Sequence, residues 1–206
     1  MTDLRHILLR SHDLGLLGPG RVADQLEHAR SFVEFLSGRV PAGAQVVDLG
    51  TGGGVPGVVI AAESELRVVM VEASERRVAF LRWAILELGL RSASVVHGRA
   101  EEVARRADLR EAADVVTARS FAEPATTAEC AAGMVAVGGR LVVSEPPGGL
   151  RHERWPVDGL AQLGFAEGDR ATGERWTLQE FRKVGRCDDQ TPRTGRLLAK
   201  RPLWSV

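Results

Sequence analysis

The stretch VVDLGTGGGVPGVVI, residues 46–60, constrains this chain more than any other. An apolar run ends in Asp48, and Gly50, Gly52, Gly53, Gly54 and Gly57 then crowd into a turn before a second apolar run begins. A buried strand that breaks on glycine and restarts as a helix is the opening unit of a parallel α/β fold. Glycines in such a turn carry no Cβ, so a ligand can approach the main chain closely.

The rest of the chain repeats that unit. Strands are predicted at 45–50, 67–72, 94–98, 113–120 and 139–145, with helices between them from 56 onward, after Ser74 as N-cap, over 100–107 and over 124–137. Val78, Leu81, Ile85 and Leu88 form one face of the second of these helices, which Gly89 ends. Upstream, Val22, Leu26, Ala29, Phe32, Val33 and Leu36 recur at three- and four-residue steps and predict an amphipathic helix over 22–37, capped by Gly38. A shorter helix precedes it near 4–9, and past Pro146 a short helix (157–163) and two strands (165–169 and 176–184) follow. The expected fold is α/β, a doubly wound, mostly parallel seven-stranded, Rossmann-like sheet. One domain is expected over 1–206: a helical N-terminal cap (1–40), a Rossmann-like core (41–184) and a basic tail (185–206).

Composition narrows the function classes. The chain has 206 residues, 44% apolar and 26% charged, with zero formal net charge. These are ordinary globular values, and any nucleic-acid surface has to be local. No apolar run approaches the roughly 18–20 residues of a membrane span, and charges interrupt the N-terminus where a signal peptide needs its apolar centre. Cys130 and Cys187 lack disulfide or zinc patterning, and His6, His12, His28, His97 and His152 show no metal spacing. The expectation is a cytoplasmic, metal-free, monomeric protein with reduced thiols and no membrane partner.

Two ligand classes suit the glycine turn, a nicotinamide dinucleotide and S-adenosylmethionine. Read as G-x-G-x-x-G from Gly52, the turn matches the dinucleotide fingerprint, but the register is late, because the strand ends by Gly50. Read as D-x-G-x-G-x-G, Asp48, Gly50, Gly52 and Gly54 begin where the strand stops. An aspartate there orients the turn and can accept from a bound ammonium, which S-adenosylmethionine has and NAD lacks. Glu72 ends the second strand about 20 residues on, where a carboxylate accepts from ribose hydroxyls in either class. Ala100 and Glu101, just past the third strand, are placed to flank an adenine.

With these residues in view, the chain resembles the bacterial small-subunit ribosomal RNA guanine-N7 methyltransferases, the glucose-inhibited-division B family. The likeness runs from the helical lead-in LLRSHDLGLLGPGRVADQLEHARSFVEFL through VVDLGTGGGVPG, ERRVAFLRWAILELGL, GRAEE and DVVTARSFA to the tail PRTGRLLAKRPL. The resemblance implies a class I S-adenosylmethionine-dependent methyltransferase acting on 16S ribosomal RNA or the small subunit. It places cofactor contacts on Gly50, Val55, Ala100, Glu101 and Arg119, with Arg119 also able to orient the reactants, and phosphate contacts on Arg193, Lys200 and Arg201. The chain departs from the family after its fifth strand. Where leucine-lysine-glycine is usual, Val143-Ser144-Glu145-Pro146-Pro147-Gly148 stands, and an acid at that mouth should repel RNA phosphate. A methyltransferase of the same ancestry with another acceptor, and a nicotinamide-binding oxidoreductase, stay open as alternatives.

Guanine N7 has an in-plane lone pair and no proton to lose, so no catalytic acid–base residue is expected. The Asn/Asp-Pro-Pro-aromatic motif of amine methylation is missing, since ARSFAEP stands in its place. Cys130 lies in an apolar helical stretch and reads as core rather than nucleophile, while Cys187 has Arg182, Lys183 and Arg186 nearby, which could lower its pKa. His28 sits in a family-like position that the resemblance would let help close the cofactor pocket, but it reads first as a helix-surface histidine, and Phe121 reads as either core or a stacking platform.

Overall fold

The computed structural model describes residues 3–146 and 154–205. Pro147, Gly148 and His152, named above, lie outside the described residues. The elements in chain order are α1 (Leu4–Asp13), α2 (Val22–Leu36), β1 (Gln45–Leu49), α3 (Gly57–Glu63), β2 (Arg67–Glu72), α4 (Glu75–Leu88), β3 (Ala93–His97), α5 (Ala100–Val103), β4 (Ala113–Ala118), α6 (Pro124–Ala132), β5 (Val135–Glu145), α7 (Val157–Gln162), β6 (Phe165–Thr172), β7 (Thr177–Lys183) and α8 (Gly195–Lys200).

The strands form one seven-stranded sheet in the order β3-β2-β1-β4-β5-β7-β6. β1 to β5 run parallel, and β7 inserts antiparallel between β5 and β6. This is the doubly wound, mostly parallel sheet that the alternation of elements predicts. Strand order reverses between β1 and β4, and ligands bind in such sheets outside the carboxyl ends at that point.

Alternation along each strand builds a core on each face. Val46, Val68, Met70, Val115, Val142 and Leu178 point to the side covered by α1 to α4. Val47, Leu49, Val71, Val116, Leu141, Val143 and Phe181 point to the other side, against α6, α7 and the tail residue Leu198. On α2, Ala29, Phe32 and Leu36 are buried, as their spacing predicts. α4 ends at Gly89 in a left-handed C-cap, whereas the Ser74 side chain makes no capping hydrogen bond.

Several boundaries differ from the sequence reading: α1 runs on to Asp13 and β6 to Thr172. The helix expected over 124–137 stops at Ala132, and Val135 already opens β5. The run AAGMVAV has no polar break, so its periodicity fits either element. The helix expected over 100–107 is a single turn, Ala100–Val103.

Candidate functional site

The glycine turn makes the floor of the site. Gly50, Gly52 and Gly54 have φ of +60°, +59° and +102°, a region in which side chains are strained. The alternation singles out the D-x-G-x-G-x-G register. Gly53 is required for a different reason: a Cβ there would collide with Ser11 and the Leu16 main chain. Ser11 Oγ donates to the Gly53 carbonyl at 2.9 Å, so the helical cap holds the turn from behind.

Asp48 supports the turn from below. It is fully buried; Oδ2 accepts from the Gly57 N–H at 2.9 Å, and Oδ1 from the Thr117 hydroxyl at 2.7 Å. The Thr51 hydroxyl stands close enough to favour the charged carboxylate, without a well-formed hydrogen bond. Burial nevertheless raises the Asp48 pKa to about 6. The expectation that Asp48 accepts from a ligand's ammonium is therefore corrected: both oxygens face protein, and only its turn-orienting part has a geometric basis.

Glu72 joins two loops. It is 5% exposed; Oε2 accepts from the Gly52 N–H at 3.0 Å, and Oε1 from the Ser74 N–H at 2.9 Å. Each carboxylate oxygen accepts more than one hydrogen bond, so capacity for ribose hydroxyls remains. Glu72 and Gly50 line a cavity of about 210 Å³ together with Arg77, Gly98 and Ala100. A larger cavity of about 590 Å³ adjoins it, sharing Ala73, Ala100 and Phe121, and is walled by Glu101, Cys130, Leu198 and Trp204. Glu101 is buried and accepts from Arg99 Nε at 2.7 Å. Gly195 of the tail packs so tightly on Glu101 that a Cβ would overlap the carboxylate. The tail is thus a wall of the larger cavity, a contact that local sequence signals do not reveal.

Other expected residues lie elsewhere. The Val55 side chain packs with Leu8, Ala29 and Val59, facing the cap, so only its main chain is left for a ligand. Arg119 is half-buried and reaches α2, where Nη2 donates to Gln25 Oε1; Gln25 in turn donates to the Pro19 carbonyl at 2.7 Å. Burial lowers the Arg119 pKa and the Asp48 charge opposes this. Arg193 is corrected as a free phosphate contact. Its Nε and Nη2 clasp buried Glu129 at 2.8 and 2.7 Å, while Lys200 and Arg201 are exposed.

Several side chains gain an importance that the sequence did not announce. His28 is not a surface histidine: its Nε2 lies 2.9 Å from Ser144 Oγ, and its ring stacks on Phe32. Burial, with the Arg119 charge second, lowers its pKa to about 4, so it is neutral at pH 7. Ser120 holds a strained φ of +52°. Cys130 is core, its thiol pushed up to about 12 by burial, and Cys187 is also buried, its Sγ donating to the Ala132 carbonyl at 3.3 Å. Among the described residues, no helix is long and apolar enough to cross a membrane, and no group of three or more metal-ligating side chains forms.

This site over the β1–β4 reversal belongs to a chain that matches the family model described as rRNA small subunit methyltransferase G over residues 14–145. The chain belongs to that family. The enzyme named ribosomal RNA small subunit methyltransferase G in Moorella thermoacetica is 36% identical over 180 residues, which cover 84% of this chain and 75% of the relative. The enzyme of the same name from Pelotomaculum thermopropionicum is 34% identical, covering 78% and 70%. Two solved structures share the fold: a mutant of MtNAS in complex with S-adenosylmethionine (TM-score 0.58, 18% identity, 87% of this chain and 77% of that one), and a TehB-like SAM-dependent methyltransferase from Corynebacterium glutamicum (TM-score 0.54, 12% identity, 85% and 98%). As a family member the chain is a methyltransferase that uses S-adenosylmethionine. The residues fit that molecule: a glycine cradle closed to Cβ atoms, a carboxylate with spare acceptor positions, and an adjoining cavity.

Proposed function

We propose that this chain methylates N7 of a guanine in 16S ribosomal RNA, using S-adenosylmethionine held over the glycine turn. The single observation that carries the reading is family membership across residues 14–145, a span that includes the whole glycine turn, Glu72, Glu101 and Arg119. S-adenosylmethionine supplies an electrophilic methyl group on a sulfonium. Gly50, Gly52 and Gly54 offer main chain, Glu72 takes ribose hydroxyls, and Ala100 and Glu101 border the adenine. Arg119, locked to Gln25, adds positive charge beside the turn and orients the reactants through α2. Lys200 and Arg201 meet RNA phosphate as point charges.

The chemistry asks for alignment rather than proton transfer. The N7 lone pair attacks in line with no proton to remove, so proximity and orientation supply much of the acceleration. His28 suits this: neutral at pH 7 and engaged with Ser144, it has a shaping role. The exposed, strained turn at Ser120 brings half-buried Phe121 against the glycine turn, which helps to exclude water from the point of transfer.

A second reading, another acceptor for the same donor, is motivated by Ser144 and Glu145 in place of the family's lysine. The two part in one assay. Labelled S-adenosylmethionine is incubated with small subunits lacking the modification, and the product is mapped by cleavage at N7-methylguanine, with Arg119→Ala as control. Label at one guanine, reduced in the control, supports the ribosomal reading. No transfer by a protein that still binds S-adenosylhomocysteine overturns it in favour of the second.

A further inference from the structure

Next to the glycine-turn site lies a further cavity of about 300 Å³. It shares Ser120 and Phe121 with the glycine-turn cavity, so the two open on either side of one strained turn. Its wall includes His28, Ser144, Glu145 and Trp155.

The polar groups of this wall are unequal. His28 and Ser144 are satisfied by each other at 2.9 Å. Glu145, the last residue of β5, is 4% exposed, and its Oε2 accepts from Arg154 Nε at 2.9 Å. Arg154 offsets the charge, so the repulsion of RNA phosphate expected from the sequence is weakened. A carboxylate has two oxygens and about four lone-pair sites, so this one hydrogen bond among the described residues leaves acceptor capacity. The indole N–H of Trp155, 5% exposed in the same wall, has no hydrogen-bond partner among the described residues. Such groups are rare in folded proteins and call for an explanation.

We propose that Glu145 is the base-reading residue of the acceptor cavity, its carboxylate accepting from N1–H and the exocyclic amine of an unstacked guanine. The inference rests on the guanine reading above and names the residue that enforces it. Guanine presents two adjacent donors on its Watson–Crick edge, and a carboxylate is an acceptor only. Adenine presents an acceptor at N1 and no amine at C2, so it would set a lone pair against a lone pair. N7 lies on a different edge of the purine, so a base read in this way keeps its attacking lone pair unblocked. The acid that replaces the family's usual residues thereby serves selection.

The test uses the full chain and a short RNA containing one guanosine, compared with the same RNA carrying inosine, which lacks only the amine. Binding is read by fluorescence anisotropy with S-adenosylhomocysteine present, and transfer by label incorporation. Expected are a preference of wild type for guanosine of about tenfold or more, because a site built to pair a polar group rejects an analogue lacking it, and a preference near one for Glu145→Gln. Glu145→Asp, which keeps the charge, should recover part of the preference. Unchanged S-adenosylhomocysteine affinity in Glu145→Gln separates base reading from loss of fold. Equal binding of the two RNAs by wild type overturns the proposal even if the variant fails to fold, as does an unchanged preference in a folded Glu145→Gln. Failure of the ribosomal reading looks different: a guanosine preference in binding with no label transferred to any small-subunit RNA.

Discussion

Phe121 rests its ring on Gly50: a Cβ built at Gly50 would stand 2.5 Å from Phe121 Cδ2. The two residues are far apart in sequence and follow the ends of neighbouring strands, β1 and β4, at the reversal of strand order. Phe121 also borders the 590, 300 and 210 Å³ cavities, so this one contact stands where the three meet.

Gly50→Ala therefore meets two penalties, a φ of +60° and the Phe121 ring. Expected is at least a tenfold weaker S-adenosylhomocysteine affinity by calorimetry, with a loss of about 1–3 kcal/mol in unfolding free energy. Phe121→Ala in the same background should restore part of the affinity, because it removes the clash and leaves only the backbone strain. No recovery would mean that the ring is not the obstacle.

Asp48 and His28 drive opposite pH dependences. The Asp48 pKa rises from 3.8 to about 6 on folding, so between those values the folded state holds the extra proton and stability falls as pH rises, by about 3 kcal/mol in all. The His28 pKa falls from 6.5 to about 4, so in that window the unfolded state holds the extra proton and stability grows as pH rises. The two slopes nearly cancel in the wild type between about pH 4 and 6. Urea unfolding across that range should show His28→Gln losing stability toward pH 6 and Asp48→Asn gaining it. Identical profiles in both variants would contradict the assignment.

Arg193 and its neighbours in the tail separate a structural from an RNA role. Arg193→Ala leaves the carboxylate of Glu129, 2% exposed, without its clasp, and a cost of about 3 kcal/mol is expected in thermal or chemical unfolding. Lys200→Ala with Arg201→Ala should leave stability unchanged and weaken RNA binding. The slope of log affinity against log salt should fall by about 1–2. A destabilised double variant, or a salt slope equal to wild type, would remove these two residues from the RNA surface.

Gly53→Ala tests the hold of the helical cap on the turn. Its Cβ meets Ser11 and the main chain at Leu16, 2.9 Å away, and main chain cannot rotate aside as a side chain can. Expected is a lower melting temperature together with faster amide exchange in Leu4–Asp13, because α1 has to shift. Unchanged exchange there would mean that the turn, not the cap, gives way.

Much of the glycine-turn side of the site was legible because its geometry is local. A strand running into glycines, an acid at each of two strand ends and a short helix after the third strand all announce themselves by spacing, and Gly50, Glu72, Ala100 and Glu101 do come together at one cavity system. Asp48 was legible in place but not in partner, since its Thr117 contact comes from a neighbouring strand. Val55 was expected as a cofactor contact, but the direction of its side chain, toward the cap, was not legible, because the path of α1 and α2 decides which face of the turn is covered. The end of α6 was missed for lack of a polar break in an apolar run.

What the sequence alone determined is the α/β alternation, the glycine turn with its register, and the family. Backbone freedom, strand and helix periodicity and capping act over a few residues, so they can be read along the chain. Only the tertiary structure decided that Arg193 clasps Glu129, that His28 faces Ser144, that Glu145 is buried beside Arg154, and that Phe121 covers Gly50. Each of these is a meeting of separate elements on the folded sheet, and its geometry is set by how the two cores pack on opposite faces rather than by any neighbour in sequence.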